Sequence, residues 1–165
     1  MQLVLTDDQE FIAKTAEDFV ADKSPITRVR ELRDSADATG FSRALWKEMA
    51  DLGWAGIPVA EELGGAELGM AEFVSVLEAL GRTLAPEPFL STVLLAGQAL
   101  RLGGSESQQK DWLPGVIAGD TILTVAYQER GSRYDLACAE TKAEPDGDRK
   151  SVVEGKWGGG GGGGG

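Results

Sequence analysis

The amino-acid sequence predicts a mainly α-helical protein: a helical bundle followed by the first strands of a β-domain that stays incomplete. Apolar residues recur at helical spacing between residues 6 and 113, separated by capping residues and by glycine or proline stops. After Gly119 the spacing changes to the alternation of a strand. We therefore assign residues 1–119 to a helical domain, 120–148 to the start of a β-domain and 149–165 to a tail.

The first two helices are indicated by their starts. Thr6 can cap a helix, and Gln9 three residues later can complete a capping box. One face of that helix is apolar: Ile12, Ala16, Phe19 and Val20. Pro25 then suits the first position of a second helix. This helix carries Arg28, Arg30 and Arg33, which we interpret as a solvated basic face rather than a ligand contact.

A third helix is predicted after Ser42, a good cap, with Phe41 packing as a staple on Trp46. Its inward positions are Leu45, Met49 and Leu52, and Gly53 suits its end. Residues 54–69 then form a loop that is too irregular for a helix and too rich in glycine for a long strand. It carries Glu61 and Glu62, and both a functional loop and a plain connector remain open.

The next helix is the clearest by pattern. Its apolar stripe consists of Met70, Phe73, Val74, Leu77 and Leu80. Residues 85–88, "APEP", end it. Residues 89–104 are apolar over most of a helical circumference, which predicts a central, buried helix ended by Gly103 and Gly104. Ser105 and Gln108 form a second capping box, opening a short helix through Leu113 that Pro114 ends or extends by another turn.

Two strands are predicted beyond Gly119. Residues 120–128, "DTILTVAYQ", alternate as a strand does. Residues 138–148, "CAETKAEPDGD", predict a second strand that runs into a turn at 145–147.

The composition excludes several classes of function. The net charge of -11 argues against nucleic-acid binding and against a polybasic membrane anchor. With no histidine and only Cys138, zinc chemistry and an internal disulfide are not expected, and a reducing compartment fits. The N-terminus lacks the pattern of a secretory signal, and no segment has the length of a membrane span, so we expect a cytoplasmic protein.

The C-terminal tail ends on eight glycines, residues 158–165, which we expect to be disordered. The preceding "DRKSVV", residues 148–153, matches the translation of a common sequencing adapter, and a run of G bases would encode polyglycine. We therefore expect the natural sequence to end near Asp148 and leave residues 149–165 out of the fold prediction.

Three segments together resemble the N-terminal part of the acyl-CoA dehydrogenase family. They are residues 45–82, with the glycine-acid loop between two helices, residues 108–129, "QQKDWLPGVIAGDTILTVAYQE", and residues 133–148, "RYDLACAETKAEPDGD". The form "QERGSRYDLA" is most similar to members like the small subunit of pimeloyl-CoA dehydrogenase. The resemblance implies an enzyme that uses FAD to oxidise an acyl-CoA thioester to the 2,3-enoyl-CoA and passes electrons to an electron-transfer flavoprotein. It also implies a homo- or hetero-oligomer.

The resemblance also implies where a site lies. Val125, Ala126, Tyr127 and Gln128 match the segment that binds the flavin, and Arg133 and Tyr134 match the edge of the acyl-CoA site. Gln128 stands where the family has threonine, Arg133 where it has glycine, and Tyr134 where it has serine. The residues alone, without the family resemblance, favour a surface turn with ion pairs among Glu129, Arg130 and Arg133.

No catalytic residue is assigned in this chain. In most of the family the base is a glutamate of the C-terminal helical domain, whereas Glu61 and Glu62 are implied to be structural residues of the loop. The alternative to a catalytic chain is a non-catalytic subunit of a heteromeric dehydrogenase.

Overall fold

A computed structural model describes residues 4–127, 135, 141–146 and 149–153. The chain divides into two compact units, the first ending at Val125 and the second beginning at Ala126. Most described residues of the first unit are helical, which confirms the predicted fold class. No helix among the described residues has the length and hydrophobicity to cross a membrane.

Seven helical segments and two short turns make up the described part of the first unit. The α-helices are α1 (Asp7–Lys23), α2 (Ile26–Asp34), α3 (Arg43–Asp51), α4 (Met70–Arg82), α5 (Gln98–Gly103) and α6 (Glu106–Ile117). A π-helix, Phe89–Gly97, runs directly into α5. The loop between α3 and α4 contains two 3₁₀ turns, Trp54–Gly56 and Glu61–Leu63.

The helix starts follow the capping chemistry in the sequence. Both predicted capping boxes form, Thr6 with Gln9 and Ser105 with Gln108, and the Ser42 side chain accepts a hydrogen bond from the Leu45 amide. Pro25 is the residue before the first turn of α2 rather than its first residue, because its ψ of 155° is extended.

The core of the first unit is built around two tryptophans. Trp46 of α3 packs edge-on against Phe89 with ring centroids 4.8 Å apart, and Trp54 packs in the same way against Phe19 at 5.2 Å. α1 packs along α4, which buries Ala16 and Val20. Further side chains with almost no exposure fill the space between the helices: Met49, Phe73, Val76, Val93, Leu113 and Val116.

Several residues predicted to face inward are exposed. Leu52 is exposed because it lies at the end of α3, where the chain turns through Gly53 at a φ of 82°. Met70 and Val74 are exposed because α4 buries a face rotated from the predicted stripe, centred on Phe73, Val76 and Leu80. The segment predicted to be central is buried on one side only: Leu90, Leu95 and Leu102 are exposed.

Arg28 lies outside the solvated basic face to which the sequence analysis assigned it. Its guanidinium forms an ion pair with Glu87, whose side chain is fully buried. Arg30 and Arg33 are exposed, as expected. The difference has a geometric cause: the first turn of α2 lies over residue 87, and a helix surface can bury one arginine while its neighbours remain in water.

The predicted strand at 120–128 is not formed in its described part, residues 120–127. The segment instead forms hydrogen bonds with Gly115 of α6 and Thr92 of the π-helix. α6 continues past Pro114 to Ile117, which agrees with the expectation of another turn.

In the second unit, the predicted second strand is present as β1 (Lys142–Asp146). It pairs antiparallel with β2 (Arg149–Val153), and Lys142 lies opposite Val153. Pro145 and Asp146 lie inside β1, so the turn predicted to begin at 145 does not begin there, and residue 147 lies outside the described residues. β2 falls in the tail, residues 149–165, that was left out of the fold prediction. The glycine run of the tail, residues 158–165, lies outside the described residues.

Candidate functional site

The segment from Thr121 to Tyr127 carries the described part of the predicted flavin site. It leaves α6 through a tight turn at Gly119, whose φ is 76°. The amides of Asp120 and Thr121 both donate to the Gly115 carbonyl, at 2.9 and 3.0 Å. A single carbonyl near the end of α6 therefore fixes the direction in which the segment begins.

Two side chains of α3 hold the turn from the other side. The Trp46 indole donates through Nε1 to the Gly119 carbonyl at 2.8 Å. The Lys47 ammonium donates to the Ala118 carbonyl at 2.7 Å and to Asp51 at 2.9 Å. The hydrogen bond to Asp51 raises the pKa of Lys47 above its usual 10.5, so the lysine is a cation at the negative end of the α6 dipole.

The turn is also packed too closely for a larger residue. A Cβ at Gly119 would lie 2.8 Å from the Ala50 Cβ, and a Cβ at Gly115 would lie 2.5 Å from the Thr121 Oγ1. Gly119 therefore supplies both a left-handed backbone and a close approach between α6 and α3.

Thr92 of the π-helix makes the next contact along the segment. Its hydroxyl donates to the Leu123 carbonyl at 2.9 Å and accepts from the Leu123 amide at 3.3 Å. Thr92 is fully buried, and Ile122 and Leu123 pack partly buried against the core. One side chain thus satisfies both backbone groups of Leu123, which is the role of a neighbouring strand.

Three of the six predicted site residues lie in the described part of the segment. Val125 is half-buried, Ala126 is exposed and Tyr127 is 49% exposed. Gln128, Arg133 and Tyr134 lie outside the described residues, so their predicted roles stay predictions.

The described residues suit a flat, partly apolar cofactor such as FAD. The half-exposed Tyr127 ring offers an aromatic face. Within residues 4–127, Leu123 is the last residue whose backbone is hydrogen-bonded. The amides and carbonyls of residues 124–127 therefore make no hydrogen bond within that range, and they are the groups that the polar edge of a flavin would need.

The loop acids do not form a catalytic arrangement. Glu61 and Glu62 are exposed, and the loop folds on itself through bonds such as Glu67 amide to Val59 carbonyl at 2.8 Å. Gly65 is required there, because a Cβ would lie 2.0 Å from the Val59 carbonyl oxygen. In the part of the chain that the structure describes, no group of histidine, cysteine or acidic residues could hold a metal ion.

Sequence reasoning missed two buried polar residues, of which Thr92 contacts the site segment. Glu87 and Thr92 both stand beside apolar residues in a stretch that was read only as a break and a buried helix. A polar side chain inside an apolar run was the available signal, since such a group must find a partner when buried. The partners themselves lie 59 and 31 residues away in the chain.

Comparison with known proteins identifies the class. Residues 6–120 match the model of the acyl-CoA dehydrogenase N-terminal domain, so the chain belongs to the acyl-CoA dehydrogenase family. It is 44% identical over 86 residues to the acyl-CoA dehydrogenase FadE27 of Mycobacterium tuberculosis. That match covers 52% of the chain and 23% of the relative.

Solved structures agree with this assignment. A chain in the crystal structure of the ChsE4-ChsE5 complex from Mycobacterium tuberculosis matches with a TM-score of 0.73 at 31% identity. The match covers 92% of this protein chain and 40% of the solved chain. An acyl-CoA dehydrogenase complexed with FAD from Bacillus anthracis matches with a TM-score of 0.72 at 29% identity. The match covers 84% of this protein chain and 24% of the solved chain. The chain spans between 20% and 42% of the length of its most similar curated relatives.

Proposed function

We propose that the chain is the N-terminal portion of an FAD-dependent acyl-CoA dehydrogenase that oxidises an acyl-CoA thioester to the 2,3-enoyl-CoA. In this reaction a carboxylate base would remove the α-proton, and FAD, when bound, would supply the acceptor for the hydride that leaves the β-carbon. The observation that carries the proposal is the fixed exit of the segment ending in Val125, Ala126 and Tyr127, combined with family membership.

The chain's own residues have a limited part in that reaction. Val125, Ala126, Tyr127 and Gln128 would hold the flavin, and Arg133 and Tyr134 would lie at the acyl-CoA edge. The only fully buried carboxylate among the described side chains is that of Glu87, and both its oxygens are bound by Arg28. The proposal places the catalytic base in another part of the protein and takes this portion alone to be inactive.

Electrons would pass to an electron-transfer flavoprotein, and the complete protein would be an oligomer in the cytoplasm. A second candidate is a non-catalytic subunit of a heteromeric dehydrogenase. It is favoured by the similarity to the ChsE4-ChsE5 complex and by a site segment that departs from the usual family form at Gln128, Arg133 and Tyr134.

The test begins with the complete gene. The full-length protein should purify with bound flavin and should reduce an artificial electron acceptor when given acyl-CoA thioesters of several lengths. The 165-residue chain should purify colourless. Stoichiometric flavin in the short chain, or none in the full-length protein, would overturn the proposal. Flavin without acyl-CoA-dependent reduction, even with candidate partner subunits, would favour the non-catalytic role.

A further inference from the structure

We infer that the Thr92 hydroxyl is a positioning group for the flavin site: by holding the backbone of Leu123, it fixes where Val125 lies. This inference rests on the proposed function, because it takes Val125 to be part of the flavin-binding segment. It adds a residue that lies outside that segment and 33 positions before Val125 in the sequence.

The first step is the geometry of the contact. A threonine hydroxyl has one proton to donate and lone pairs to accept. The Thr92 hydroxyl uses both functions on the same residue, donating to the Leu123 carbonyl and accepting from the Leu123 amide. The two hydrogen bonds restrain the peptide units on both sides of Leu123, whereas a single bond would restrain only one of them.

The second step is the rigidity of the support. Thr92 is fully buried and lies in the π-helix between the buried residues Phe89 and Ala96. Its amide donates to the Pro88 carbonyl at 2.9 Å. Wide π turns are uncommon and are frequently found at functional sites. The hydroxyl is therefore fixed relative to the core, not only to the segment.

The third step is the position of the contact along the segment. Thr121 is held by the Gly115 carbonyl and Leu123 by Thr92, and no later backbone group up to Tyr127 is hydrogen-bonded within residues 4–127. Val125 follows two residues after Leu123, a reach of no more than about 7 Å. Thr92 is thus the last fixed support before the residues that would meet the flavin.

The experiment compares Thr92→Ser with Thr92→Ala in the full-length protein. Both variants lose the methyl group and differ only in the hydroxyl, so their difference isolates the two hydrogen bonds. Thr92→Ser should bind FAD within about twofold of the original protein. Thr92→Ala should raise the dissociation constant for FAD by about tenfold, because two partly buried backbone groups lose their partner.

Thr83→Val is a matched control. The Thr83 hydroxyl is buried without a hydrogen-bond partner in the described structure, so its removal should leave FAD binding unchanged. The visible absorption and circular dichroism of the bound flavin should change in Thr92→Ala and not in Thr83→Val. A role confined to core stability would lower the unfolding temperature of Thr92→Ala without changing these flavin signals.

Two outcomes overturn the inference. One is equal FAD affinity in Thr92→Ser and Thr92→Ala. The other is equal hydrogen exchange at the Leu123 amide in the two variants, a measurement that remains possible even where one variant binds no cofactor. An original full-length protein that binds no FAD overturns the proposed function instead, while the exchange measurement still decides whether Thr92 holds the segment.

Discussion

Arg28 and Glu87, 59 residues apart in the sequence, form a buried ion pair that joins three segments of the helical unit. Arg28 donates through Nη1 to Glu87 Oε2 at 3.2 Å and to the Ser24 hydroxyl at 3.0 Å, and through Nη2 to Glu87 Oε1. The Ser42 amide also donates to Glu87 Oε1 at 3.2 Å. The pair thereby links the junction of α1 and α2, the start of α3 and the residues before the π-helix.

Removal of one partner of this pair should be strongly destabilising. Arg28→Met leaves the Glu87 carboxylate buried without its cation, and this should lower the free energy of unfolding by about 3 kcal/mol or more. Urea denaturation followed by circular dichroism measures the change. The double variant Arg28→Met with Glu87→Leu should recover most of the loss, since replacing both charges with apolar groups removes the unpaired ion.

Arg33→Met is the control for that comparison. Arg33 forms an exposed ion pair with Asp34, with side chains 70% and 65% exposed, so its loss should cost less than about 1 kcal/mol. Equal effects of Arg28→Met and Arg33→Met would show that the buried pair does not stabilise the fold.

Gly119→Ala should be more damaging than Gly53→Ala, although both glycines have a left-handed backbone. Their φ values are 76° and 82°, so alanine at either position should cost about 1–2 kcal/mol of backbone strain. Only at Gly119 does the added Cβ also clash, at 2.8 Å from Ala50, whereas nothing lies within 4 Å at Gly53. The unfolding temperature should decrease more for Gly119→Ala than for Gly53→Ala. The reverse order would mean that α3 and the end of α6 can move apart at little cost.

Gly65→Ala should disrupt the loop between α3 and α4. Its Cβ would lie 2.0 Å from the Val59 carbonyl oxygen, a distance that backbone atoms cannot accommodate without moving. We expect a loss of more than about 2 kcal/mol, together with faster hydrogen exchange at the Glu67 amide, which bonds to Val59. Gly64→Ala, where nothing lies within 4 Å, should cost only its left-handed strain. Slow exchange at Glu67 in Gly65→Ala would contradict the prediction.

Glu72 should make the stability of the helical unit depend on pH in the acid range. The side-chain amide of Gln9 donates through Nε2 to the Glu72 carboxylate at 2.8 Å. This hydrogen bond is the largest cause that lowers the pKa of Glu72 below its usual 4.5. A lowered pKa in the folded state stabilises the fold above pH 4.5, and that contribution is lost as the pH falls through the lower, folded-state value. Glu72→Gln should therefore lose stability relative to the original chain near neutral pH, and the difference should shrink in acid.

Gln9→Met is the companion variant for the pH experiment. It removes the donor to Glu72 but also part of the α1 capping box, which adds a loss that does not depend on pH. The pH-dependent part should be smaller than that of Glu72→Gln, because backbone hydrogen bonds from Glu72 and Gly69 also lower the pKa of Glu72 and remain in Gln9→Met. A difference between Glu72→Gln and the original chain that stays constant down to pH 3 would contradict the assigned pKa direction.

The helices could be predicted from the sequence because their starts depend on local chemistry. Thr6, Ser42 and Ser105 each cap a helix with a hydrogen bond to a residue three positions later. The rotation of α4 could not be predicted, because both the Val74 and Val76 faces are apolar and only the packing of α1 selects between them. The same limit applies to Leu90 and Leu95, whose exposure depends on what lies beside the helix.

The location of the flavin site stays a prediction, and the contacts that support its first residues could not be predicted. Alternation in residues 120–128 predicted a β-strand, which would take its hydrogen bonds from a neighbouring strand, but residues 120–127 do not form one. The actual partners are the Gly115 carbonyl and the Thr92 hydroxyl. Periodicity reports which side of a segment is buried, and it carries no information on whether a strand or a side chain provides the hydrogen bonds.

The support at Thr92 has a consequence for the order of events during synthesis. Among the described residues, the group that hydrogen-bonds Leu123 is the Thr92 hydroxyl, which belongs to a residue made earlier. As the chain leaves the ribosome, the helices can fold first and seat this segment before any later strand is available to pair with it. A polypeptide that stops at residue 127 should already protect the Leu123 amide from exchange.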